Sequence, residues 1–364
     1  MTQYRWIRRT ALAGALMLPV FMAGCGWLSQ ETSKEIDPPP AESGNTQQDG
    51  QIDGNAGEQA QGADDGQAAA TQGDQTQLTV YLRDGNGYLT PVTLNTALEQ
   101  EAQAGQRALE MMVEGGRYAN LLPEDFTPVL PQGTEVLGYN LVKDQQLAIV
   151  DFSKPFTEYN AEDERKIVEA VTWTLTSLPD VKQVEIRYEG EKLNEMPVDG
   201  FPLDEPLTRA VGINLEWDDG VDYTRSTPVT LYFSSQTADA EQYFVPVTRL
   251  INRTDDTAKA ALEQLIAGPL DGSDLIGVMT PDVQVNRLES KDGTVTVDLL
   301  ELGYDESQKP PAEMLEAVVL SLAENTGADK VQIMLNGKTG ITDTKGMSYS
   351  EPVSKPEHVN ALES

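Results

Sequence analysis

The chain has very few of the side chains on which most enzymes and metal sites depend. Its 364 residues include one cysteine, Cys25, and one histidine, His358, six residues from the C-terminal end. One thiol cannot form an internal disulfide or a zinc cluster, and a histidine in a C-terminal tail is poorly placed to activate a nucleophile. We therefore expect no catalytic residue, no cofactor and no metal. Catalysis by carboxylates alone, as in glycosidases, stays open.

Basic residues are also scarce. The sequence has 26 Lys and Arg against 59 Asp and Glu, which gives a formal net charge of -33. Nucleic-acid binding needs a basic surface, so we expect no nucleic-acid partner. The same negative charge repels anionic lipid headgroups. A membrane association would therefore depend on an anchor and not on the protein surface.

No apolar run is long enough for a transmembrane helix, which needs about 20 residues. Arg5, Arg8 and Arg9 instead precede the apolar residues 11–22, and this order is typical of a secretory signal. The following Met22-Ala-Gly-Cys25 resembles the bacterial lipobox, in which the cysteine receives a diacylglycerol and becomes the first residue of the mature chain. Residues 1–25 are thus predicted to be a lipoprotein signal peptide and Cys25 a lipidation site. The alternative is an ordinary signal peptide beside an unmodified cysteine.

Residues 26–76 differ in composition from the rest of the chain. They are rich in Gln, Gly, Ala and acidic residues, with ten Asp and Glu against one lysine and with Trp27 as the single aromatic residue. Such a segment cannot bury enough apolar surface to offset the entropy of ordering. We predict a disordered acidic linker, whose 51 residues would span roughly 40 Å as a flexible chain.

The remainder contains two copies of one unit, about 150 residues apart. This period is too long for a solenoid and fits two duplicated domains. We assign 77–200 to the first domain, 201–227 to an interdomain linker, 228–341 to the second domain and 342–364 to a polar C-terminal tail. The clearest matched segments are Leu78–Leu82 with Val229–Phe233, Ala108–Gly115 with Ala261–Gly268, Val150–Phe152 with Val297–Leu299, Glu169–Leu175 with Glu316–Leu322, and Val184–Ile186 with Val331–Ile333.

Each copy is predicted to have the order ββαββαβ. Strands alternate apolar and polar residues, as in Leu78–Leu82, whereas helices repeat apolar residues at spacings of three and four, as in Ile167, Val168, Val171 and Leu175. Two amphipathic helices most simply cover one face of a mixed sheet. The predicted fold class is α+β, with two tandem duplicated domains that each comprise a mixed sheet and two helices on one face.

Three features invite a functional interpretation beside a structural one. Asp84-Gly-Asn-Gly87 could begin a calcium loop, but the later ligand positions lack acids, which favours a hairpin turn. Asp151 and Asp298 are equivalent in the repeat and could be ligands, although an Asp that stabilises a turn is more common. Trp173 is expected in the core, with an interface rim as the alternative.

The two copies resemble GerMN domains, the modules of the GerM-like family of sporulation and germination lipoproteins. The first copy carries the fuller signature, with Leu130-Pro-Gln-Gly-Thr134, Val150-Asp-Phe-Ser153, Thr174–Pro179 and Val184-Glu-Ile186. The second copy departs from it, since Thr280-Pro-Asp282 and Leu299-Leu300 replace two of these motifs. The resemblance covers about residues 78–341 together with the anchor.

This resemblance implies a noncatalytic protein of endospore-forming bacteria, held by lipid on the extracytoplasmic face of the membrane. The family works with the channel complex between mother cell and forespore, and its domains are similar to ring-building modules. The expected partners are the membrane, through the lipid anchor, and protein subunits of a channel or ring complex, with self-association of the modules as a further expectation. The alternatives are an extracytoplasmic solute-binding or sensor lipoprotein, and a cell-wall glycan hydrolase that uses carboxylates.

Overall fold

A computed structural model describes residues 75–97, 104–217, 220–280, 282–305 and 308–362, apart from a few side chains within these ranges. All of them belong to one compact unit of the chain. The helices are α1 (Ala104–Met111), α2 (Glu164–Leu175), α3 (Thr257–Ala267) and α4 (Ala312–Thr326). The strands are β1 (Gln75–Asp84), β2 (Leu89–Ala97), β3 (Phe126–Thr127), β4 (Val136–Val142), β5 (Leu147–Phe152), β6 (Gln183–Tyr188), β7 (Glu191–Lys192), β8 (Glu216–Trp217), β9 (Ser226–Gln236), β10 (Gln242–Asn252), β11 (Val283–Lys291), β12 (Thr294–Glu301), β13 (Lys330–Leu335) and β14 (Val353–Ser354).

Each copy begins with an antiparallel hairpin. β1 pairs with β2 in a register that sets Leu78 opposite Leu94 and Val80 opposite Val92, and β9 pairs with β10 in the second copy. The alternating pattern of the sequence places these apolar side chains on one face, but seven consecutive residues are buried in β9 and seven in β10. Strands buried on both faces must be covered from both sides.

A mixed sheet follows in each copy. Its order is β4-β5-β6-β7 in the first copy and β11-β12-β13-β14 in the second. β5 and β6 run parallel, as do β12 and β13, whereas the first pair of each sheet is antiparallel. Parallel neighbours need a crossover connection, which α2 and α4 provide.

The helices of each copy contact both its hairpin and its mixed sheet. α2 is therefore buried on all sides, and the polar Thr172 and Thr174 are as inaccessible as its apolar residues. The Thr174 hydroxyl accepts a hydrogen bond from the N–H of Tyr81 in β1, and Ser321 does the same for Tyr232 in β9 (2.9 and 3.1 Å). The α+β class with tandem domains is confirmed, with one refinement: the strands of each copy divide between two sheets, one on either side of the helices.

The segments that follow each domain lie along a sheet edge. In the segment 201–227, predicted as the interdomain linker, Leu207 forms a bridge with Val184 of β6. In the segment 342–364, predicted as a polar tail, β14 pairs with β13 through Val353 and Val331. Both segments thus have a structural role, because each satisfies backbone groups that the edge of a sheet would otherwise leave unpaired.

Candidate functional site

The one site residue that the sequence predicts, Cys25, lies outside the described residues, as do the signal peptide 1–25 and most of the linker 26–76. Its lipidation stays a prediction. Among the described residues, no group of three or more His, Cys, Asp and Glu side chains is arranged to hold a metal ion. None of the helices in this part of the chain is long and apolar enough to cross a membrane.

The most distinctive polar site is instead the interface between the two copies, where β2 and β10 are neighbours. Asn214 bridges the two strands from one end. Its Oδ1 accepts from the N–H of Leu89 at 2.8 Å, and its Nδ2 donates to the carbonyl of Leu89 and to that of Pro246, both at 2.8 Å. The residue has φ +47°, a conformation that Asn adopts more readily than most residues.

Asn360, in the C-terminal segment, makes an equivalent set of bonds. Its Oδ1 accepts from the N–H of Phe244, and its Nδ2 donates to the carbonyls of Phe244 and Pro91, all at 2.8 Å. Its φ is +55°. Leu89 and Phe244 occupy equivalent places in the repeat, two residues before Pro91 and Pro246 respectively. The two asparagines therefore make the same bonds with the roles of the copies exchanged, a local pseudo-two-fold arrangement.

The backbones beside these asparagines close the strand edges. The N–H of Thr93 in β2 donates to the carbonyl of Asn360 at 3.1 Å, and the N–H of Thr248 in β10 donates to that of Ile213 at 2.8 Å. The Thr93 hydroxyl adds a bond to the carbonyl of Val359 at 2.8 Å. Each copy is consequently bonded to the other through the segments that carry the two asparagines.

A charged cluster lies at the same interface. Glu324 of α4 accepts hydrogen bonds from Arg209 (Nη1···Oε2 2.7 Å) and from Lys355. Arg209 also donates to Thr176 Oγ1 at 3.0 Å and to Ser177 Oγ at 3.1 Å, at the C-terminal end of α2. The cluster therefore joins the first copy to the segment 201–227 through Arg209, and that segment to the second copy and the C-terminal segment through the Glu324 carboxylate.

Burial and charge act against each other in this cluster. Burial tends to raise the pKa of Glu324, but Arg209 and Lys355 outweigh it and the pKa is lowered overall. Burial lowers the pKa of Lys355 although Glu324 opposes the shift. Burial also raises the pKa of the nearby Tyr81 to about 12. At neutral pH the carboxylate is thus ionised, and it accepts the hydrogen bonds of Arg209 and Lys355.

A cavity of about 400 Å³ adjoins the cluster. Its lining is mixed in polarity and includes hydroxyl, carboxylate and cationic groups from both copies: Thr79, Tyr81, Ser177, Arg209, Tyr232, Glu324 and Lys355. Such a space could admit a small polar solute. The charged groups nearest to it already bind one another, so they are available to a ligand only by exchange.

Trp173 is fully buried, which confirms the core prediction. Its indole Nε1 donates to the carbonyl of Gly212 at 2.8 Å, and its ring lies under the Arg209 guanidinium (4.3 Å to the centroid) and against Tyr81 (5.6 Å between centroids). The Trp173 side chain is therefore part of the core, and through Gly212 it also holds the segment that carries Asn214 at the interface between the copies.

Asp84 forms the predicted hairpin turn. Its Oδ1 accepts from the N–H groups of Asn86 and Tyr88, both at 2.9 Å, within the β1–β2 connection. Its Oδ2 accepts from the hydroxyl of Tyr243 in β10 at 3.0 Å. Burial raises the pKa of Asp84 even though these hydrogen bonds oppose the shift. The turn thus also makes a contact with the second copy.

Asp151 and Asp298 have the same structural role in their two copies. Asp151 accepts from the N–H of Gly190 at 2.9 Å, and Asp298 accepts from the N–H of Gly337 at 2.8 Å. Both glycines follow the last long strand of their sheet with positive φ. The turn-stabilising interpretation is confirmed.

Asn214, Asn360, Arg209 and Glu324 are not among the residues singled out from the sequence. Their bonds join segments far apart in the chain, so neither periodicity nor a local motif reveals them. One signal was present: Ile213-Asn214 and Val359-Asn360 are separated by nearly the same interval as the other repeated pairs. Extending the repeat beyond residue 341 would have brought the two asparagines together.

Comparisons with known proteins agree with this description. A family model described as Germane, sporulation and spore germination, matches residues 79–194 and 230–340. The chain is 37% identical over 363 residues to the spore germination protein GerM of Bacillus subtilis (strain 168), with 97% of each chain covered.

The fold is similar to a solved structure of the tandem GerMN domains of the sporulation protein GerM from Bacillus subtilis. The TM-score is 0.72 and the identity 38%, over 80% of this chain and all of the solved one. The similarity therefore extends over both copies together.

Proposed function

Because the chain belongs to the Germane family of sporulation and spore germination proteins, we propose that it is a lipid-anchored scaffold that helps to assemble the channel complex between mother cell and forespore. In this proposal Cys25 holds the protein on the extracytoplasmic face of the membrane. The acidic linker 26–76 separates the anchor from the two domains. The domains bind other proteins and catalyse no reaction.

The observation that carries the proposal is the double asparagine bridge between the copies. Asn214 and Asn360 each bond both copies, and Arg209, Glu324 and Lys355 add a buried ionic contact beside them. Two modules joined in this way keep a fixed relative orientation. A fixed pair of modules suits a scaffold, which must present its surfaces at defined positions.

The anchor supplies the second part of the proposal. Two acyl chains hold a protein at a membrane much more firmly than one, at about 0.8 kcal/mol per buried methylene group. A flexible linker of this length would allow the domains to reach roughly 40 Å from the bilayer. The net charge of -33 disfavours contact with anionic lipid, so the domains would project into the intermembrane space.

The test is complementation of a deletion strain by full-length variants. Cys25→Ala is expected to lose incorporation of a labelled fatty acid, to leave the membrane fraction and to lower the yield of spores that germinate. Ser29→Ala, which is just beyond the anchor, is the matched control and should behave like the natural chain. Normal sporulation and germination of the deletion strain would contradict the sporulation function, whereas full activity of unlipidated Cys25→Ala would contradict the anchor alone.

The cavity beside Arg209 and Glu324 favours a second candidate function, binding of a small polar solute between the copies. Solute binding would stabilise the folded chain in proportion to the logarithm of ligand concentration. Thermal shifts of the full chain with a panel of small anions and sugars test it, with Glu324→Gln as the variant in which a specific shift should change. An absence of any thermal shift would contradict the solute-binding function and would leave the scaffold function as the proposal.

A further inference from the structure

The outer edge of β4 is an open sheet edge without the protection that the rest of the molecule has. Among the described residues, β4 pairs only with β5, and no hydrogen bond joins its other side to the chain. Alternate residues of an edge strand direct their N–H and carbonyl groups outward. Such a row of groups is a template for a further strand.

The other long strands near a sheet edge in the described chain have a neighbour along at least part of their outer side. β3 pairs with one end of β1, Ile276 bridges β9, and the segments beside Asn214 and Asn360 bond to β10 and β2. Leu207 and β7 lie beside β6, while β14 lies beside β13. Among the strands longer than two residues in the part of the chain that the structure describes, β4 and its repeat counterpart β11 have no neighbouring segment along their outer side.

β4 and β11 differ in charge, although the repeat gives them the same position. β11 carries Arg287, Glu289 and Lys291, and charged side chains are a common device against edge-to-edge pairing. β4, with the sequence VLGYNLV, has no charged residue over its seven positions. The first copy thus lacks the protection that the second copy has.

The bulges of the two strands show the same contrast. A register shift falls between Val136 and Gly138 in β4, and an equivalent one falls between Val285 and Arg287 in β11. The residue at the first bulge, Leu137, is 51% exposed to solvent. Asn286 occupies the second bulge, and its Nδ2 donates to Asp298 Oδ2 at 2.7 Å. An exposed leucine thus replaces a hydrogen-bonded polar residue.

We infer that β4 accepts an extended strand of another protein, which adds to the sheet β4-β5-β6-β7 and packs an apolar side chain against Leu137. The inference deepens the proposed scaffold function and rests on it. Backbone hydrogen bonds would supply the affinity, and the apolar contact with Leu137 would supply the specificity, as in other cases of strand addition.

Charge identifies the class of partner. Two copies of a chain with a net charge of -33 repel each other. An acidic side chain, Glu135, directly precedes the strand, whereas Lys143 and Asp144 follow it in the connecting turn. The partner strand is therefore uncharged in its centre and basic at the end beside Glu135, and it belongs to a different protein.

The first test compares Leu137→Lys with Asn286→Lys, the same substitution at the equivalent bulge of the other copy. Both positions are exposed, so both full-length variants should fold, and thermal unfolding checks this. In a deletion strain, Leu137→Lys is expected to germinate as poorly as the deletion, and Asn286→Lys as well as the natural chain. If Leu137→Lys restores germination fully in a strain whose deletion is defective, the β4 inference is overturned while the scaffold function stands.

The second test uses the natural chain and does not depend on a variant. Amide hydrogen exchange is compared between the full chain purified in detergent and the full chain in gently solubilised membranes of sporulating cells. Exchange in β4 is expected to slow by about tenfold or more in the membranes, with β11 unchanged. Equal exchange of β4 in both samples contradicts the inference. A dimer of the purified chain that Leu137→Lys dissociates would make the occupant a second copy and would also overturn it.

Discussion

Replacement of Asn360 by alanine is expected to weaken the contact between the copies. The side chain makes three hydrogen bonds, one from the N–H of Phe244 and two to the carbonyls of Phe244 and Pro91. A net value of about 1 kcal/mol for each gives about 3 kcal/mol. Alanine at φ +55° adds about 1 kcal/mol of backbone strain. We expect a total loss of about 3–4 kcal/mol.

The assay is thermal and urea unfolding of the full chain in detergent. For a unit of this size, about 2 °C of melting temperature corresponds to 1 kcal/mol, so Asn360→Ala should melt about 6–8 °C lower. Asn336→Ala is the matched control. Asn336 also has positive φ, +51°, but its side chain bonds only Glu301, in an exposed position within the second copy.

The control separates backbone strain from the interdomain bonds. Asn336→Ala should cost about 1–1.5 kcal/mol, since strain is shared and exposed hydrogen bonds are readily replaced by water. The difference between the two variants is then about 2 kcal/mol. Equal destabilisation of both variants would refute the argument that the Asn360 side chain holds the copies together.

Two further predictions concern buried carboxylates. Glu324→Gln leaves Arg209 and Lys355 buried without their counter-ion, and it should cost about 3–5 kcal/mol in urea unfolding at neutral pH. Since the folded pKa of Glu324 is lowered, the ionised carboxylate stabilises the fold at neutral pH, and this stabilisation is lost as the pH falls below about 4.3. An equally steep fall of the free energy of unfolding with acid in Glu324→Gln and in the natural chain would contradict this. Asp298→Ala should destabilise more than Asp151→Ala, because Asp298 is nearly inaccessible and also accepts from Asn286, and unfolding of the two variants side by side would show equal losses if burial at this turn were unimportant.

The strands and helices were largely predictable because their signals are local. The alternation in Leu78–Leu82 predicts β1, and the spacing of Ile167, Val168, Val171 and Leu175 predicts α2. The Asp84 turn followed from its residue types alone. In each case the residues that define the element are neighbours in sequence, so periodicity and turn chemistry are sufficient.

The arrangement of the elements was less predictable. The apolar stripe of α2 indicated one buried face, whereas Thr172 and Thr174 are buried on the side toward the hairpin. Threonine in a helix gives no sign that it will accept a hydrogen bond from a strand edge. The sequence pattern therefore predicted one sheet beside the helices, and the second sheet became evident only from the tertiary contacts.

The polar segments were the least predictable part. Residues 342–362 have no periodicity, so their composition suggested a tail. Asn360 nevertheless bonds Phe244, which is 116 positions before it. Lys355 bonds Glu324 of α4. Contacts of this kind depend on long-range geometry that a single sequence does not display.

If the asparagine bridges hold the two copies as one tandem, calorimetric unfolding of the full chain should show a single cooperative transition whose calorimetric and van't Hoff enthalpies agree. In the double variant Asn214→Ala, Asn360→Ala the profile should broaden and separate into two transitions. Two independent transitions in the natural chain would show that the bridges do not join the copies.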